Sequence, residues 1–197
     1  AANYDFDSLF IPFRCVAADI ENTRAVVHNK GQLGSAVRTS MTFPFFFKPI
    51  KVNDKLLFDG GLYNNFPANV MMENFNPDIV IGSKAAGNYG APRQDDIISQ
   101  IQNMLVTKTD YDMAIDSGYL IEHNLGKVNI VDFSRTQEFI DSGYVITMRK
   151  RKELENLLHR RVTSEEQDLK RTRFSLKKPN FLVDSIIITG LNKAQSR

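Results

Sequence analysis

The sequence predicts an α/β protein built around a layered sheet. Short segments rich in β-branched residues alternate along the chain with segments whose apolar residues recur at helical spacing. Of the 197 residues, 42% are hydrophobic and 24% are charged, a globular composition that argues against wholesale disorder. The length fits one domain with an appendage. No apolar run approaches the roughly 20 residues that a membrane-spanning helix needs.

The first part of the chain is predicted to open with a hairpin. Ile11–Ile20 has the composition of a strand, and Arg24–His28 could pair with it. A helix is expected over residues 31–41. Lys55–Phe58 then predicts a short apolar strand, and a further helix is expected to start near Pro67.

The second part alternates in the same way. Pro77–Ser83 is an apolar run between breakers, typical of a strand buried on both faces. Beyond it the pattern predicts, in order, a helix over Ile97–Leu105, a helix around Tyr111–Asn124, a strand at Lys127–Phe133, a helix from about Thr136 and a strand at Phe181–Thr189. The helix from Thr136 is expected to turn Phe139, Ile140 and Tyr144 inward.

The net charge of +2 conceals an uneven distribution. Residues 149–178 contain eleven Lys or Arg against five acidic residues, whereas residues 1–148 contain twelve basic and seventeen acidic residues. We interpret residues 148–178 as a basic helical linker, either solvated or in contact with an anionic membrane surface. A nucleic-acid partner is not expected, because no recognised binding motif accompanies the charge.

Cysteine and histidine are too scarce for metal clusters. Cys15 is the only cysteine, so an intrachain disulfide and a cysteine-based metal site are both excluded. The three histidines are scattered, which makes a zinc site improbable. Since no glycine-rich phosphate loop is present either, neither a metal nor a cofactor is expected, and a nucleotide-binding domain is the least favoured class.

The sharpest local feature is Asp59, which follows the strand Lys55–Phe58 and precedes Gly60 and Gly61. Ligands of open α/β sheets bind beyond the carboxyl ends of strands, so an acid here is well placed for function. Two interpretations stay open: Asp59 bonds its own backbone in a turn, or it acts as a general base. A base would need its pKa raised from about 3.9 toward working pH.

A phenylalanine-rich segment lies close to this acid in the sequence and comprises Phe43, Phe45, Phe46 and Phe47. One interpretation is that these rings pack in the core. The other is that they line an acyl-chain pocket or form a membrane-facing lip. Three polar residues have simpler expectations. Asp19 shapes the turn after its strand, Asn65 caps a helix, and Arg38 lies exposed or salt-bridged on a helix rather than against a phosphate headgroup.

Four motifs follow one another between residues 10 and 83: PFRCVAADIEN, GQLGSAVRTSMTFPFFFKPI, LLFDGGLYNNFP and PDIVIGS. In this order they resemble the second half of a patatin-like phospholipase domain, with weaker similarity as far as Phe139–Tyr144. The resemblance implies a partial three-layer α/β/α sandwich over residues 1–147, lacking its N-terminal nucleophile half.

Patatins use a Ser–Asp dyad, and Asp59, with Gly60 and Gly61 in its motif, matches the dyad acid of the family. By this resemblance Asp59 would accept the proton of a serine in a hydrolase of lipid or phospholipid esters. The glycine-rich oxyanion loop and the GxSxG serine of the family are absent from these 197 residues. The residues are therefore expected to be inactive alone and to function within a longer parent protein.

The last segment, residues 179–197, resembles the opening strand of a POTRA module. Because patatin domains joined to such modules occur in bacterial outer membranes, we expect the parent in the bacterial cell envelope. Pairing with a second copy, as a homo-oligomer, is one way in which a partial sheet could cover its open edge. The alternative to a hydrolase is a non-catalytic, membrane-associated binding module in the envelope.

Overall fold

The computed structural model describes residues 2–88, 90–113, 118–123, 125, 133–159 and 162–178. By its internal contacts the chain divides into two units, one of residues 2–161 and one that contains the described residues 162–178. The helices in this described part are all too short or too polar to cross a membrane.

Strands and helices of the larger unit alternate along the chain. Its strands are β1 (Cys15–Asp19), β2 (Arg24–His28), β3 (Ile50–Val52), β4 (Lys55–Asp59), β5 (Val80–Lys84) and β6 (Gly118–Glu122). Its helices are α1 (Leu33–Ser40), α2 (Ala68–Phe75), α3 (Ile97–Leu105), α4 (Thr136–Arg149) and α5 (Arg151–Leu157). The smaller unit contains α6 (Ser164–Leu176), which starts with a capping box between Thr163 and Glu166.

The strands form a four-stranded antiparallel sheet in the order β2-β1-β4-β3 and a parallel pair of β5 and β6. In the antiparallel sheet Ala17 pairs with Asp59 and Asp19 pairs with Leu57. The mixture of sheets and helices agrees with the predicted α/β class. The three-layer sandwich remains a prediction.

The core of the larger unit lies around the central strand β1. Val16, Ala17 and Ala18 are buried, and their small side chains let α1 pack closely against the sheet. From α1, Ala36 and Thr39 are buried, and the Thr39 hydroxyl donates to the carbonyl of Ala36 at 2.8 Å. The core therefore fixes the central strands, on one of which Asp59 lies.

Most elements agree with the sequence predictions, among them the hairpin, α1, β4, α3 and the helix from Thr136. The helix predicted around Tyr111–Asn124 is wrong, because Gly118–Glu122 forms β6 and pairs with β5. Strand pairing outweighs the local helical pattern in this segment.

Two burial predictions also fail. Strand β5 is buried on only one face, since Ile81 is exposed beside buried Val80 and Gly82. On α4, Ile140 and Tyr144 are exposed rather than inside. The strands predicted at residues 127–133, apart from Phe133, and at residues 181–189 lie outside the described residues, as does the whole POTRA-like segment.

Candidate active site

Asp59 is the last residue of β4 and begins a short 3₁₀ turn over Gly60–Leu62. Its backbone N–H donates to the carbonyl of Thr42 at 2.9 Å, and its Oδ1 accepts from the N–H of Gly61 at 2.7 Å. The turn contact that the sequence suggested is therefore present. Asp59 also lines a cleft, so the turn contact does not exclude the second interpretation.

The surroundings of Asp59 favour an oxygen that can take a proton. Burial raises the pKa of the Asp59 carboxyl above its ordinary value, and the hydrogen bond from Gly61 acts in the opposite direction. Within the described residues, no cation is ion-paired with Asp59 and no donor is bonded to Oδ2. A partly desolvated carboxylate with one unpaired oxygen has the properties of a general base.

The two glycines after Asp59 are needed for different reasons. A Cβ on Gly60 would lie 2.2 Å from the carbonyl oxygen of Val16, so only glycine lets the turn pack against β1. A Cβ on Gly61 would lie 2.7 Å from Oδ1 of Asn65 and 3.0 Å from Oδ1 of Asp59. Gly60 therefore supports the fold, and Gly61 leaves room for the acid.

The cleft beside Asp59 has a volume of about 210 Å³ and two chemically different sides. Its polar side is formed by Asn65, Asn88, Asn103, Thr107, Lys108 and Thr109. Its apolar side is formed by Phe43, Leu62 and Val106. The arrangement suits a molecule with one polar and one apolar end.

Backbone and side-chain hydrogen bonds hold the two loops that wall this cleft. The N–H of Thr107 donates to the carbonyl of Leu62 at 2.7 Å. Asn88 donates through Nδ2 to the carbonyl of Thr109 at 3.0 Å and accepts through Oδ1 from the N–H of Thr109 at 2.6 Å. The Tyr111 hydroxyl donates to the carbonyl of Ala86 at 2.5 Å. The two loops are thereby fixed to each other and to the turn after Asp59.

An apolar cavity of about 250 Å³, here called the apolar channel, adjoins the cleft at Leu62 and Val106, which line both spaces. All the side chains around this channel are apolar: Phe43, Pro44, Phe45, Phe46, Leu62, Ile101, Leu105 and Val106. It continues into an open groove of about 1120 Å³, which Phe45, Phe46 and Phe47 share with Met104. The acid thus lies where a polar cleft meets a long apolar groove.

The phenylalanines predicted from the sequence divide into two groups. Phe43 is half-buried and lines the cleft together with Asp59. Phe46 packs against Phe43, with 5.6 Å between the centres of the two rings. Phe45, Phe46 and Phe47 are exposed, so the plain-core alternative is wrong for these three. They line the groove rather than the cleft.

The remaining polar predictions have mixed outcomes. Asp19 accepts two hydrogen bonds from Asn22 in the turn after β1, as expected. Asn65 does not cap α2, whose N-cap is Pro67, and lines the cleft instead. The guanidinium of Arg38 lies over the ring of Phe47, 5.0 Å from its centre.

Sequence reasoning missed the polar wall of the cleft, in particular Asn88 and Lys108. These residues belong to two loops about twenty positions apart, which carry no motif and are joined by the hydrogen bonds of Asn88 with Thr109 and of Tyr111 with Ala86. Among the described residues, no group of three or more His, Cys, Asp or Glu side chains could hold a metal ion.

The chain is similar to known proteins over its first part, which includes Asp59. Residues 2–72 match the family model described as patatin-like phospholipase. An uncharacterized NTE family protein of Mycobacterium bovis is 37% identical over 68 residues, which are 34% of this chain and 12% of that protein. Lysophospholipase NTE1 of Cryptococcus neoformans is 32% identical over 91 residues, 46% of this chain and 6% of that protein.

A second, distinct NTE family protein, from Mycobacterium tuberculosis, is also uncharacterized and is 28% identical over 106 residues. The match covers 52% of this chain and 29% of that protein. The chain therefore spans less than a third of the length of each of these relatives.

Proposed function

We propose that this chain, whose residues 2–72 match the patatin-like phospholipase family model, supplies the base and the acyl-binding side of a lipid acyl hydrolase. The observation that carries this proposal is Asp59, a partly desolvated carboxylate with a free oxygen, placed where a polar cleft meets an apolar groove. The name of the relative lysophospholipase NTE1 supports a lipid ester as the class of substrate.

The proposed chemistry is a Ser–Asp dyad. Oδ2 of Asp59 takes the proton of a serine hydroxyl while the serine oxygen attacks the ester carbonyl, and that proton then passes to the departing alcohol. Water cleaves the acyl-enzyme, with Asp59 receiving the proton of the water and returning it to the serine. Since the 197 residues contain no GxSxG, this proposal requires the serine and the oxyanion donors to come from outside them.

The two sides of the site suggest how the substrate lies. The acyl chain would follow Phe43, Leu62 and Val106 into the apolar channel, where burial of each methylene contributes about 0.8 kcal/mol. The polar headgroup would lie against Asn65 and Lys108, with the ester beside Asp59. This orientation places the reacting carbonyl at the boundary between the two environments.

The test is Asp59→Asn in a parent protein that contains these residues and a GxSxG segment. The amide keeps an oxygen that can accept from Gly61 and loses the basic oxygen, so kcat for a p-nitrophenyl acyl ester should fall about 10²–10⁴-fold. The control is Asp54→Asn in the exposed turn between β3 and β4, whose only described ion pair is with Lys51. Wild-type turnover by Asp59→Asn would mean that Asp59 is not the base.

The predicted envelope location and the homo-oligomer stay proposals that this site does not address. Fractionation of cells that express the parent tests the first, and light scattering of the purified chain at several concentrations tests the second. The alternative function, a non-catalytic membrane-associated module, gains support from one observation, the exposure of the phenylalanines beside the groove.

A further inference from the structure

We propose that Phe45, Phe46 and Phe47, here called the phenylalanine lip, form a surface that docks on a phospholipid bilayer. The proposal goes beyond the hydrolase function, because the lip lines the open groove and not the cleft of Asp59. It also assigns the lip a role in addition to the part that Phe45 and Phe46 take in lining the apolar channel.

The first argument is exposure. The three consecutive rings are 76%, 50% and 41% exposed, and Met104 of α3, which lines the same groove, is 82% exposed. Single exposed apolar side chains are ordinary on protein surfaces, whereas a contiguous apolar patch marks an interaction site. This patch is contiguous, since all four side chains border one groove.

The second argument is backbone strain at the most exposed ring. Phe45 has a φ of +71°, in the left-handed region that bulky residues rarely adopt. Burial does not compensate for this strain within the described chain, because the Phe45 side chain is largely in water. Strain of this kind concentrates at functional sites, and here it holds an aromatic ring outward.

The third argument concerns charge and selects a lipid surface as the occupant. Lys48 is exposed, directly follows the lip and is the only charged residue among those described around the groove. Arg38 lies over the ring of Phe47. Aromatic rings flanked by cations fit the boundary between acyl chains and anionic headgroups, where the rings lie among lipid carbons and the cations beside phosphate.

The fourth argument is continuity between the lip and the acid. The groove at the lip reaches Leu62 and Val106, which also line the cleft of Asp59. A lipid could therefore pass from the bilayer along apolar side chains to the acid without its acyl chain crossing water. Only this step rests on the proposed function; exposure, strain and charge do not.

The experiment is co-sedimentation of the 197-residue chain with vesicles. Vesicles of phosphatidylcholine alone are compared with an equimolar mixture of phosphatidylcholine and phosphatidylglycerol. The test variant combines Phe45→Gly with Phe46→Ser and should reduce partitioning onto both kinds of vesicle about tenfold or more. Glycine adopts the φ of Phe45 without strain, so circular dichroism and thermal unfolding should show an intact fold.

Two controls locate the binding. Ile140→Ser removes an equally exposed apolar side chain on α4, away from the groove, and should leave partitioning unchanged. Lys48→Gln should weaken binding only to the anionic vesicles, and its effect should shrink between about 0.01 M and 0.15 M salt. Asp59→Asn should bind vesicles like the wild type, which separates this proposal from the catalytic one.

Three results would overturn the proposal. The first is a wild-type chain that sediments with neither kind of vesicle. The second is a double variant that sediments as the wild type does, which would place the binding elsewhere, for example on the basic helical linker of residues 148–178. The third is a dimer, seen by light scattering without vesicle binding, that the double variant dissociates. The lip would then be an interface between copies of the chain.

Discussion

Asp19 and Asp59 end neighbouring strands of the same sheet, yet the two carboxylates differ in burial and in the number of their hydrogen-bond partners. Asp19 is 0% exposed, accepts two hydrogen bonds from Asn22 and lies 3.2 Å from Nζ of Lys55. Asp59 accepts one described hydrogen bond, from Gly61, and lines a cleft. One carboxylate is fully satisfied by the fold, and the other keeps an oxygen for a ligand.

The pKa directions follow from these partners. The hydrogen bond from the side chain of Asn22 lowers the pKa of Asp19, with help from Lys55, although burial opposes it. Burial raises the pKa of Asp59, and the Gly61 contact is too little to reverse this. Burial raises the pKa of both carboxylates, so burial alone does not distinguish the proposed base Asp59 from Asp19; the two differ in the number of partners that favour the charged form.

Gly60→Ala should have the largest effect, because it affects both carboxylates: the turn after Asp59 packs on β1, the strand that ends in Asp19. The new Cβ would lie 2.2 Å from the backbone oxygen of Val16, so a strand must move. We expect a loss of about 3 kcal/mol in the free energy of unfolding, measured by urea titration.

The matched control is Gly34→Ala in α1, where a Cβ meets nothing within 4 Å. Alanine suits a helix better, so this variant should gain about 0.5–1 kcal/mol. Equal stability of the two variants would mean that Gly60 does not hold the turn against β1.

Gly61→Ala should have a smaller effect that is confined to the surroundings of Asp59. Its Cβ would crowd Oδ1 of Asn65 and Oδ1 of Asp59, which are side-chain atoms that can shift. We expect a free energy of unfolding within about 1 kcal/mol of the wild type and about a tenfold fall in kcat/KM for the ester hydrolysis proposed for the parent protein. A large loss of stability with normal turnover per folded molecule would reverse the roles given to Gly60 and Gly61.

The difference between the two carboxylates could only partly be read from the sequence. Strand, acid and turn are visible at both positions, in VAADIEN and in LLFDGGL, and the strands themselves were predicted. The ion pair of Asp19 with Lys55 joins residues 36 positions apart and depends on the pairing of β1 with β4. Such long-range pairing, like the parallel pairing that makes β6 a strand, leaves no local signal.

The candidate site shows the same limit. Asp59, Gly60, Gly61 and Phe43 were predicted because they lie in one stretch of sequence that a strand and a turn bring together. Asn88 and Lys108 were missed because loop contacts alone bring them to the cleft. The separation of Phe43 from the phenylalanine lip also depends on packing, since all four rings look alike in the sequence.

The smallest expected effect is a difference in how the stabilities of Asp59→Asn and Asp19→Asn depend on pH. Because the folded pKa of Asp59 is raised, the folded state binds more protons than the unfolded state just above the unfolded pKa of about 3.9. The ionised Asp59 therefore destabilises the fold at neutral pH, and Asp59→Asn should gain stability relative to the wild type as pH rises from about 4 to 7.

Asp19 has a lowered pKa, so its contribution is fully present above the unfolded pKa and is lost as pH falls through the folded pKa. The deficit of Asp19→Asn should therefore be greatest at pH 7 and shrink in acid. Relative to the wild type, the urea midpoint of Asp59→Asn should rise by a few tenths of a molar between about pH 4 and 7, whereas that of Asp19→Asn should stay constant there and recover toward the wild type only below about pH 4. An Asp19→Asn midpoint that rises together with that of Asp59→Asn between about pH 4 and 7 would mean that the two carboxylates share one environment.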